Sequence, residues 1–286
     1  MIRFHNLSEL QQWTASLPSN RAVGFVPTMG ALHEGHASLV ARAVKENDEV
    51  LASIFVNPTQ FQELVDLDRY PRTLEQDCEV LERLGATAVY LPTENDMYPR
   101  GFQTRIEPGE GAEWFEGEKR PGHFTGMLTV VLKLFQQTRA RRSYFGEKDA
   151  QQLFLVRRMV EDLDLNVEVL SCATIREPDG LAMSSRNARL SETERFESAS
   201  LWRALSAAKS AFDRGERRAS VLEQAMHDVL KATAVEVEYA SVIDDLTFRP
   251  PEPTLDEHEH EQCLRAILAV RLGAARLIDN LLLGHA

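Results

Sequence analysis

Short apolar runs alternate with amphipathic stretches along the first half of the chain. The apolar runs predict five strands, at residues 23–26, 50–56, 88–91, 143–145 and 167–170. Helical spacing of apolar residues predicts helices at about residues 34–46, 73–84 and 149–162. Strands that alternate with helices favour βαβ units and a doubly wound parallel sheet, in which ligands bind beyond the carboxyl ends of the strands. The residues that directly follow each strand are therefore the first candidates for a site.

The pattern changes after about residue 177. Ser191 and Glu194 have the spacing of a capping box, and a long helix is expected from there to about Arg214. The further elements predicted are a helix at about residues 219–231 and strands at residues 235–243, 264–270 and 275–278. These strands lack the long helical crossovers that parallel pairing requires, so they indicate a smaller α+β domain.

The composition is that of a folded protein long enough for two domains. Of its 286 residues, 43% are apolar and 27% are charged. We place a domain with the parallel sheet at residues 1–176 and the smaller domain at residues 177–286. The formal net charge of −12 argues against general nucleic-acid binding, because a polyanion is held by clustered basic side chains.

The cysteines and the amino-terminal sequence favour a cytoplasmic protein. Cys78, Cys172 and Cys263 are odd in number and far apart, which fits neither a disulfide framework nor a cysteine zinc site. Glu9 and Gln11 stand where a signal peptide would need an apolar core. No run approaches the roughly 18 apolar residues of a membrane span, so no membrane partner is expected.

A His-Glu-Gly-His sequence stands where the first helix is predicted to begin. His33 and His36, three residues apart, are expected on one helical face, and the helix N-terminus is expected to offer free N–H groups that suit phosphate oxygens. Gly35 would let a base or a phosphate approach the backbone. A coincidental surface pair or a metal site would give the same spacing, although no third ligand for zinc lies nearby. The strand and the turn before His33 favour the phosphate interpretation.

Two further donor clusters follow later strands. Lys148 comes after the fourth strand, within Gly-Glu-Lys-Asp, and can hold a phosphate as a compact charge, although Asp149 also fits a helix cap. Ser184, Ser185 and Arg186 follow the fifth strand and supply donors that suit a polyphosphate, although a serine-rich turn alone is ordinary. Together the three clusters supply donors for one anion from three strand ends, which predicts an enzyme that uses ATP.

Neutral and basic side chains follow the other strands. Asn57 and Gln60 suit the hydroxyl and carbonyl groups of a small polar substrate, although an Asn-Pro turn explains Asn57 equally well. Arg120 and His123 are either phosphate or carboxylate contacts or simply residues at a helix start. The Glu-His-Glu-His-Glu sequence at residues 257–261 is interpreted as an exposed acidic loop and not as a metal site.

Six sequence blocks, in order, resemble the pantothenate synthetase family. They stand at residues 27–36, 54–61, 70–73, 120–124, 145–153 and 179–187, and residues 275–280 fit as well. This family belongs to the nucleotidylyltransferases with an H-x-G-H signature. The resemblance implies an α/β fold, with an N-terminal Rossmann-like doubly wound parallel sheet and a smaller C-terminal α+β domain that closes over the ATP site.

The resemblance also implies the reaction and its residues. The family condenses pantoate with β-alanine through a pantoyl-adenylate, using ATP and Mg²⁺, as cytoplasmic homodimers. Pantoate would be held by Gln60 and Gln152, with Asn57 close by and Gln60 also bordering the β-alanine site. His36 is the family's proton-donor position, and His33, Lys148, Ser184, Ser185 and Arg186 would join it in catalysis. ATP would be bound by Met29, Gly30, Ala31, Leu32, His33, Glu34, Gly35, His36, Gly146, Glu147, Lys148, Asp149, Ile175, Met183, Ser184, Ser185 and Arg186.

Two other functions fit part of this pattern. A nucleotidylyltransferase with another substrate would share the H-x-G-H sequence but would not need Asn57 and Gln60. A regulatory module that only binds nucleotide would show no turnover. The Mg²⁺ ligands are not identified by the sequence, and Asp77 is a weak candidate.

Overall fold

The computed structural model describes residues 1–18, 20–62, 67–251 and 263–284. The chain divides into two compact units, Met1–Gly146 with Leu155–Ala173, and Glu147–Phe154 with Thr174–Ala286. The acidic segment at residues 257–261 lies outside the described residues. The predicted domain boundary at residue 176 remains a prediction.

The first unit is built on a six-stranded sheet. Its strands are β1 (Ile2–Phe4), β2 (Val23–Thr28), β3 (Glu49–Ile54), β4 (Ala88–Tyr90), β5 (Arg142–Gly146) and β6 (Glu168–Cys172). Their order across the sheet is β1-β4-β3-β2-β5-β6, and each pairing is parallel. This arrangement is the predicted parallel sheet, with one strand more than the sequence indicated.

Helices and short 3-10 turns connect these strands. The helices are α1 (Leu7–Ser16), α2 (Glu34–Glu46), α3 (Leu74–Arg83), α4 (Glu94–Met97), α5 (Glu116–Lys119), α6 (His123–Thr138) and α7 (Ala150–Asp162). The 3-10 turns that concern the site are Pro58–Gln60 and Glu147–Asp149. Helix α7 begins in the segment that groups with the second unit and ends in the first unit.

The central strands are apolar because helices cover the sheet. Leu39, Val40 and Ala43 form the buried stripe of α2, at the spacing of one helical face. They pack in one core with β2, β3 and β4 and with Cys78 and Leu81 of α3. Burial on both faces accounts for the continuous apolar runs that predicted these strands.

The second unit has a three-stranded antiparallel sheet of β7 (Glu236–Asp244), β8 (Leu264–Leu272) and β9 (Ala275–Leu282), in that order. Gly273 has a φ of 58° in the two-residue connection between β8 and β9, as tight hairpins require. The helices are α8 (Glu192–Ser198), α9 (Ser200–Asp213) and α10 (Ala219–Leu230), with a 3-10 turn at Ser185–Arg189. Buried residues of α9 and α10 pack in one core with the sheet.

The two sheets confirm the predicted fold class, and two details differ from expectation. Strand β1 was missed because three residues are too short to show a pattern. The Ser191 capping box is confirmed, but the single helix predicted from there to Arg214 is wrong. The Ser198 hydroxyl donates to the Arg195 carbonyl, which the Ala199 N–H would otherwise use, and the helix ends there. None of the described helices is long and apolar enough to cross a membrane.

The core of the second unit predicts a contrast between two leucines. Leu205 of α9 is 0% exposed and Leu246 is 67% exposed. Leu205→Ala should lower the free energy of unfolding by about 2–5 kcal/mol, because it removes buried methyl groups and leaves a cavity. Leu246→Ala should change it by less than about 0.5 kcal/mol. Urea denaturation followed by circular dichroism measures both, and similar losses for the two variants would contradict this packing.

Candidate active site

The turn after β2 lies at the point where the order of the parallel sheet reverses. Strands β3 and β4 continue on one side of β2, and β5 and β6 continue on the other. Ligands of open α/β sheets bind beyond the carboxyl ends of the strands at such a switch point. Residues 29–36 follow β2 there, and the 3-10 turn Glu147–Asp149 follows β5 in the sequence.

His33 and His36 cap the helix that begins at this turn. His33 is the N-cap residue of α2, and its Nδ1 accepts the N–H of Gly35 at 3.1 Å. His36 completes the reciprocal bond, because its Nδ1 accepts the N–H of His33 at 3.3 Å. The two rings are 4.2 Å apart between centroids. Since each Nδ1 accepts a hydrogen bond, the neutral rings carry their proton on Nε2 and can donate from that atom.

This capping arrangement bears on three expectations for the turn. His33 has extended backbone angles and is the N-cap residue, so it stands just before the first helical residue, with its ring beside that of His36. The N–H groups of the turn are not free, because the protein's own side chains accept those of residues 30–33 and of Gly35. A Cβ on Gly35 would stand 2.8 Å from His33 Cε1, so the glycine makes room for a ring of the protein. These N–H groups are therefore already bonded within the protein.

Asp77 holds the turn from the neighbouring helix α3. Its carboxylate accepts the N–H of Ala31 at 2.9 Å, the N–H of Leu32 at 2.8 Å and the Thr73 hydroxyl at 3.1 Å. The chain reverses sharply here, with φ of 81° at Gly30 and 51° at Ala31. The sequence signal for this role is an acidic residue beside Cys78 on a buried helical face, since a buried carboxylate needs hydrogen-bond donors.

These contacts argue against Asp77 as a metal ligand, because both of its oxygens are already used by the protein. Among the described residues, no group of three or more His, Cys, Asp or Glu side chains could hold a metal ion. Mg²⁺ keeps several waters and commonly reaches proteins bound to substrate phosphates. An all-protein magnesium site is therefore not indicated within the described ranges.

Gln60 is oriented by the buried side chain of Asn57. The Asn57 amide donates to Gln60 Oε1 at 3.0 Å and to the Gly126 carbonyl at 3.2 Å, and its oxygen accepts from Tyr98 at 2.8 Å. Burial raises the pKa of Tyr98, which keeps this hydroxyl protonated as a donor. Since Oε1 is occupied, the Gln60 amide NH₂ group is directed elsewhere, and it lies 3.0 Å from Met29 Sδ. Asn57 is therefore a residue that positions Gln60, and the Asn-Pro turn interpretation also holds.

Arg120 and His123 support the same turn from its backbone side. His123 Nδ1 lies 2.9 Å from the Gln60 carbonyl oxygen, and Arg120 Nη1 lies 3.1 Å from His123 Nε2. An arginine can only donate, so Nε2 is the acceptor and Nδ1–H donates to Gln60. Glu116 lies 3.7 Å from Arg120 and is buried. Both residues therefore stabilise Gln60, a role that the sequence alone did not separate from ligand binding.

The second unit carries the other predicted donors. Met183 donates its N–H to the Ile175 carbonyl at 2.9 Å, and Ser184 caps the following 3-10 turn by accepting the N–H of Arg186 at 3.2 Å. Lys148, Ser185 and Arg186 are half-buried. Within the described part of the chain, the end groups of Lys148 and Arg186 make no hydrogen bond or ion pair.

The predicted site residues fall into two groups. The first unit brings Met29 and Gln60 together and holds both beside the turn that ends at His36. The second unit contains residues 147–149, Gln152, Ile175 and residues 183–186. Convergence of the two groups on one ligand remains a prediction.

Comparison with known proteins identifies the family. The sequence matches the family described as Pantoate-beta-alanine ligase over residues 3–282. The chain belongs to this family. Among curated relatives of this ligase family, the pantothenate synthetase of Gluconobacter oxydans is 48% identical over 268 residues, which are 93% of this chain and 95% of that protein. The pantothenate synthetase of Acidobacterium capsulatum is 50% identical over 266 residues, which are 93% of this chain and 87% of that protein.

Solved structures of the ligase family share the fold over the whole length. The pantothenate synthetase of Thermus thermophilus superposes with a TM-score of 0.91 at 42% identity, covering 100% of both chains. A Francisella tularensis pantoate-β-alanine ligase, described as complexed with β,γ-ATP and β-alanine, gives a TM-score of 0.81 at 38% identity, covering 100% of this chain and 99% of that chain. The family resemblance inferred from the six sequence blocks is confirmed.

The role of Asp77 can be tested with an isosteric change. Asp77→Asn replaces one acceptor oxygen by an NH₂ group that faces a backbone N–H, so it should lower the free energy of unfolding by about 1–3 kcal/mol. It should also raise the KM for ATP, because the turn before His33 loses its support. Glu75→Gln, on the exposed side of the same helix, is the matched control and should change neither quantity appreciably. Urea titration and steady-state kinetics measure both, and an Asp77→Asn variant that matched the control would refute this role.

Proposed function

We propose that this chain condenses (R)-pantoate with β-alanine to pantothenate, consuming ATP and releasing AMP and pyrophosphate through a pantoyl-adenylate. One observation carries the proposal: a turn at the switch point of the sheet presents two histidines whose Nδ1 atoms are both used internally. Membership of the pantoate-β-alanine ligase family supports it. The Francisella tularensis relative is described as complexed with β,γ-ATP and β-alanine, which supports ATP and an amine as substrates.

In the first step, the pantoate carboxylate attacks the α-phosphorus of ATP and pyrophosphate leaves. Negative charge develops on the phosphoryl oxygens during this displacement, so donors fixed in advance lower the barrier. We assign this task to Nε2–H of His33 and His36 and, from the second unit, to Lys148, Ser184, Ser185 and Arg186. The remaining ATP contacts are assigned to residues 29–32, Glu34, Gly35, Gly146, Glu147, Asp149, Ile175 and Met183.

The hydrogen-bond pattern around Gln60 supports its assignment to pantoate. The side-chain oxygen of Gln60 accepts from Asn57, and its backbone carbonyl accepts from His123. The side-chain amide is therefore held in one orientation, with NH₂ as the group that donates. A hydroxy acid offers oxygens that accept from such a donor. Gln152 is assigned the same substrate, Gln60 also borders the β-alanine site, and Asn57 acts through Gln60.

Mg²⁺ is expected to enter with the triphosphate. It would neutralise the charge of the leaving pyrophosphate, bound by phosphate oxygens and water and not by a cluster of protein carboxylates. Among the residues assigned to the phosphates, Lys148 and Arg186 carry the positive charges of the protein.

In the second step, the amine of β-alanine attacks the adenylate carbonyl and AMP leaves. The amine is mostly protonated near neutral pH and must lose a proton before attack. We further propose that the enzyme acts as a cytoplasmic homodimer. We also propose that it has no nucleic-acid partner, because its net charge of −12 would repel a polyanion.

The assignment of Gln60 predicts a selective defect. Gln60→Ala should raise the KM for pantoate by about 2- to 13-fold, the equivalent of one hydrogen bond of about 0.5–1.5 kcal/mol, and leave the KM for ATP nearly unchanged. Gln62→Ala changes an exposed glutamine two residues away and serves as the control. Initial rates at varied pantoate and varied ATP separate the two effects. A larger change for ATP than for pantoate would remove Gln60 from the pantoate site.

The order of the two steps predicts exchange without β-alanine. With ATP, Mg²⁺ and pantoate alone, the enzyme should exchange labelled pyrophosphate into ATP, because adenylate formation needs only the carboxylate and the triphosphate. A water-poor site should protect the mixed anhydride, so little net AMP should appear until β-alanine is added. His36→Ala should reduce the exchange rate by about 10²-fold or more, as loss of a transition-state donor does.

The alternatives give different results in the same assay. A nucleotide-binding module would show no exchange, and an adenylyltransferase of other specificity would show none with pantoate. A ligase that first phosphorylates its carboxylate would release ADP and phosphate. Absence of pantoate-dependent exchange, in folded protein that binds ATP, would overturn the proposed function.

A further inference from the structure

Two consecutive polar residues are buried near the end of β9. Asp279 is 2% exposed and Asn280 is 5% exposed, in a strand that pairs with β8 over its whole length. We propose that these two residues are positioning residues for ATP: Asn280 fixes the turn that carries Lys148, and Asp279 fixes the hairpin that carries residues 183–186. This inference rests on the proposed function, in which both segments bind the triphosphate.

Asn280 binds the backbone of the 3-10 turn Glu147–Asp149, called the lysine turn below, with both of its amide hydrogens. Its Nδ2 lies 2.8 Å from the Glu147 carbonyl oxygen and 2.9 Å from the Lys148 carbonyl oxygen. These are neighbouring residues of one 3-10 turn, 133 and 132 residues away from Asn280 in the sequence. An amide NH₂ group has two donors in one plane and can serve two adjacent carbonyls at once. The backbone from which the Lys148 side chain extends is thereby held.

The orientation of the Asn280 amide is itself fixed. Its oxygen accepts a hydrogen bond from Arg265 Nη1 at 2.7 Å, and Arg265 Nη2 lies 3.1 Å from the Asp245 carboxylate. Arg265 is buried, so its charge needs this partner. An arginine can only donate, so it excludes the flipped amide, in which NH₂ would face the guanidinium. Asp245, Arg265 and Asn280 thus form a chain of contacts that ends at the lysine turn.

Asp279 holds the other segment through one arginine. Arg176 Nη1 and Nη2 lie 2.6 and 2.9 Å from the two carboxylate oxygens of Asp279, a two-point contact of fixed geometry. Arg176 also donates to the Gly180 carbonyl at 2.9 Å and lies over the Trp202 ring at 4.0 Å. Burial raises the pKa of Asp279, and the Arg176 guanidinium opposes that change most strongly, with a smaller contribution from the charge of Lys148.

Arg176 lies where it fixes the backbone that leads into residues 183–186. Arg176 pairs with Ala182 in an antiparallel bridge, and the adjacent N–H of Met183 donates to Ile175. Residues 183–186 therefore follow a short hairpin that Arg176 holds at two points. Its side chain bonds Gly180 at the tip, and its backbone pairs with Ala182 at the base. Because Asp279 and Asn280 are consecutive on one strand, the two ATP-binding segments of the second unit share a single support.

The decisive comparison is between two alanine substitutions in the same strand. Asn280→Ala removes the support of the lysine turn, whereas Leu277→Ala removes buried apolar contacts that the same strand makes in the core of the second unit. In the pantoate-dependent pyrophosphate exchange assay, Asn280→Ala should lower kcat and raise the KM for ATP, together about 10- to 100-fold in kcat/KM, with the KM for pantoate within about twofold. Leu277→Ala should lower thermal stability but keep all three parameters within about twofold of the unsubstituted enzyme.

A double substitution tests whether Asn280 acts through Lys148. If it does, adding Asn280→Ala to Lys148→Ala should cost less than about threefold more, because the group that Asn280 positions is already gone. Should Asn280→Ala fail to fold, Asn280→Ser keeps one donor and should give a smaller defect with the same selectivity for ATP. Unchanged ATP kinetics in a folded Asn280 variant, equal losses in Leu277→Ala, or additive effects in the double variant would each overturn this inference. Failure of exchange in the unsubstituted enzyme would instead overturn the proposed function.

Discussion

The turn between β2 and α2 must reverse the chain where the central strand of a parallel sheet ends, and its backbone N–H groups need acceptors. The Asp77 carboxylate supplies acceptors for two of them, from a helix more than 40 residues further along the chain. Thr28 and the two histidines supply acceptors for three more, those of Gly30, His33 and Gly35. The conformation of the turn is thus set by side-chain acceptors of the protein before any ligand binds, and the direction of the His33 and His36 rings follows from it.

In the second unit, the turn is held through its carbonyl oxygens and not through its N–H groups. The turn at Glu147–Asp149 presents carbonyl oxygens, and a side-chain amide supplies the donors. In both units the group that supports the turn is buried and comes from another secondary-structure element, so the turn is tied to the core and not to solvent. Preorganisation of this kind favours catalysis, because donors that are already aligned need no rearrangement when charge develops.

The periodicity of the sequence was sufficient to predict most of the fold. The buried strands were found because burial on both faces makes them continuously apolar, and α2 was predicted with its observed ends because its apolar stripe is regular. Strand β1 was too short to show a pattern. At the break at Ala199, the Ser198 hydroxyl competes with the backbone for the Arg195 carbonyl, and the apolar spacing of the helix is unchanged.

For the candidate site, the sequence proposed residues, but it did not predict which side chains hold the others in place. Sequence blocks proposed His33, Gln60 and Lys148 for the site, which remains a prediction. Asn57, which the block of Gln60 suggested beside the substrate, is buried among protein partners. Asp77 and Asn280 were not predicted as supports, because the contacts that define them join residues far apart in the sequence. Roles of this kind arise from tertiary contacts, and local spacing carries little information about them.

The crowding between His33 and Gly35 has a consequence for protein engineering. The imidazole of residue 33 occupies the volume that a methyl group on residue 35 would need. A library that randomises residue 35 alone should therefore find that few residues other than glycine are accepted there. A library that randomises residues 33 and 35 together should find larger residues at position 35 whenever residue 33 has a small side chain. The effect of a substitution at residue 35 thus depends on the side chain at residue 33. The glycine reflects the position of the His33 ring and not the approach of a nucleotide.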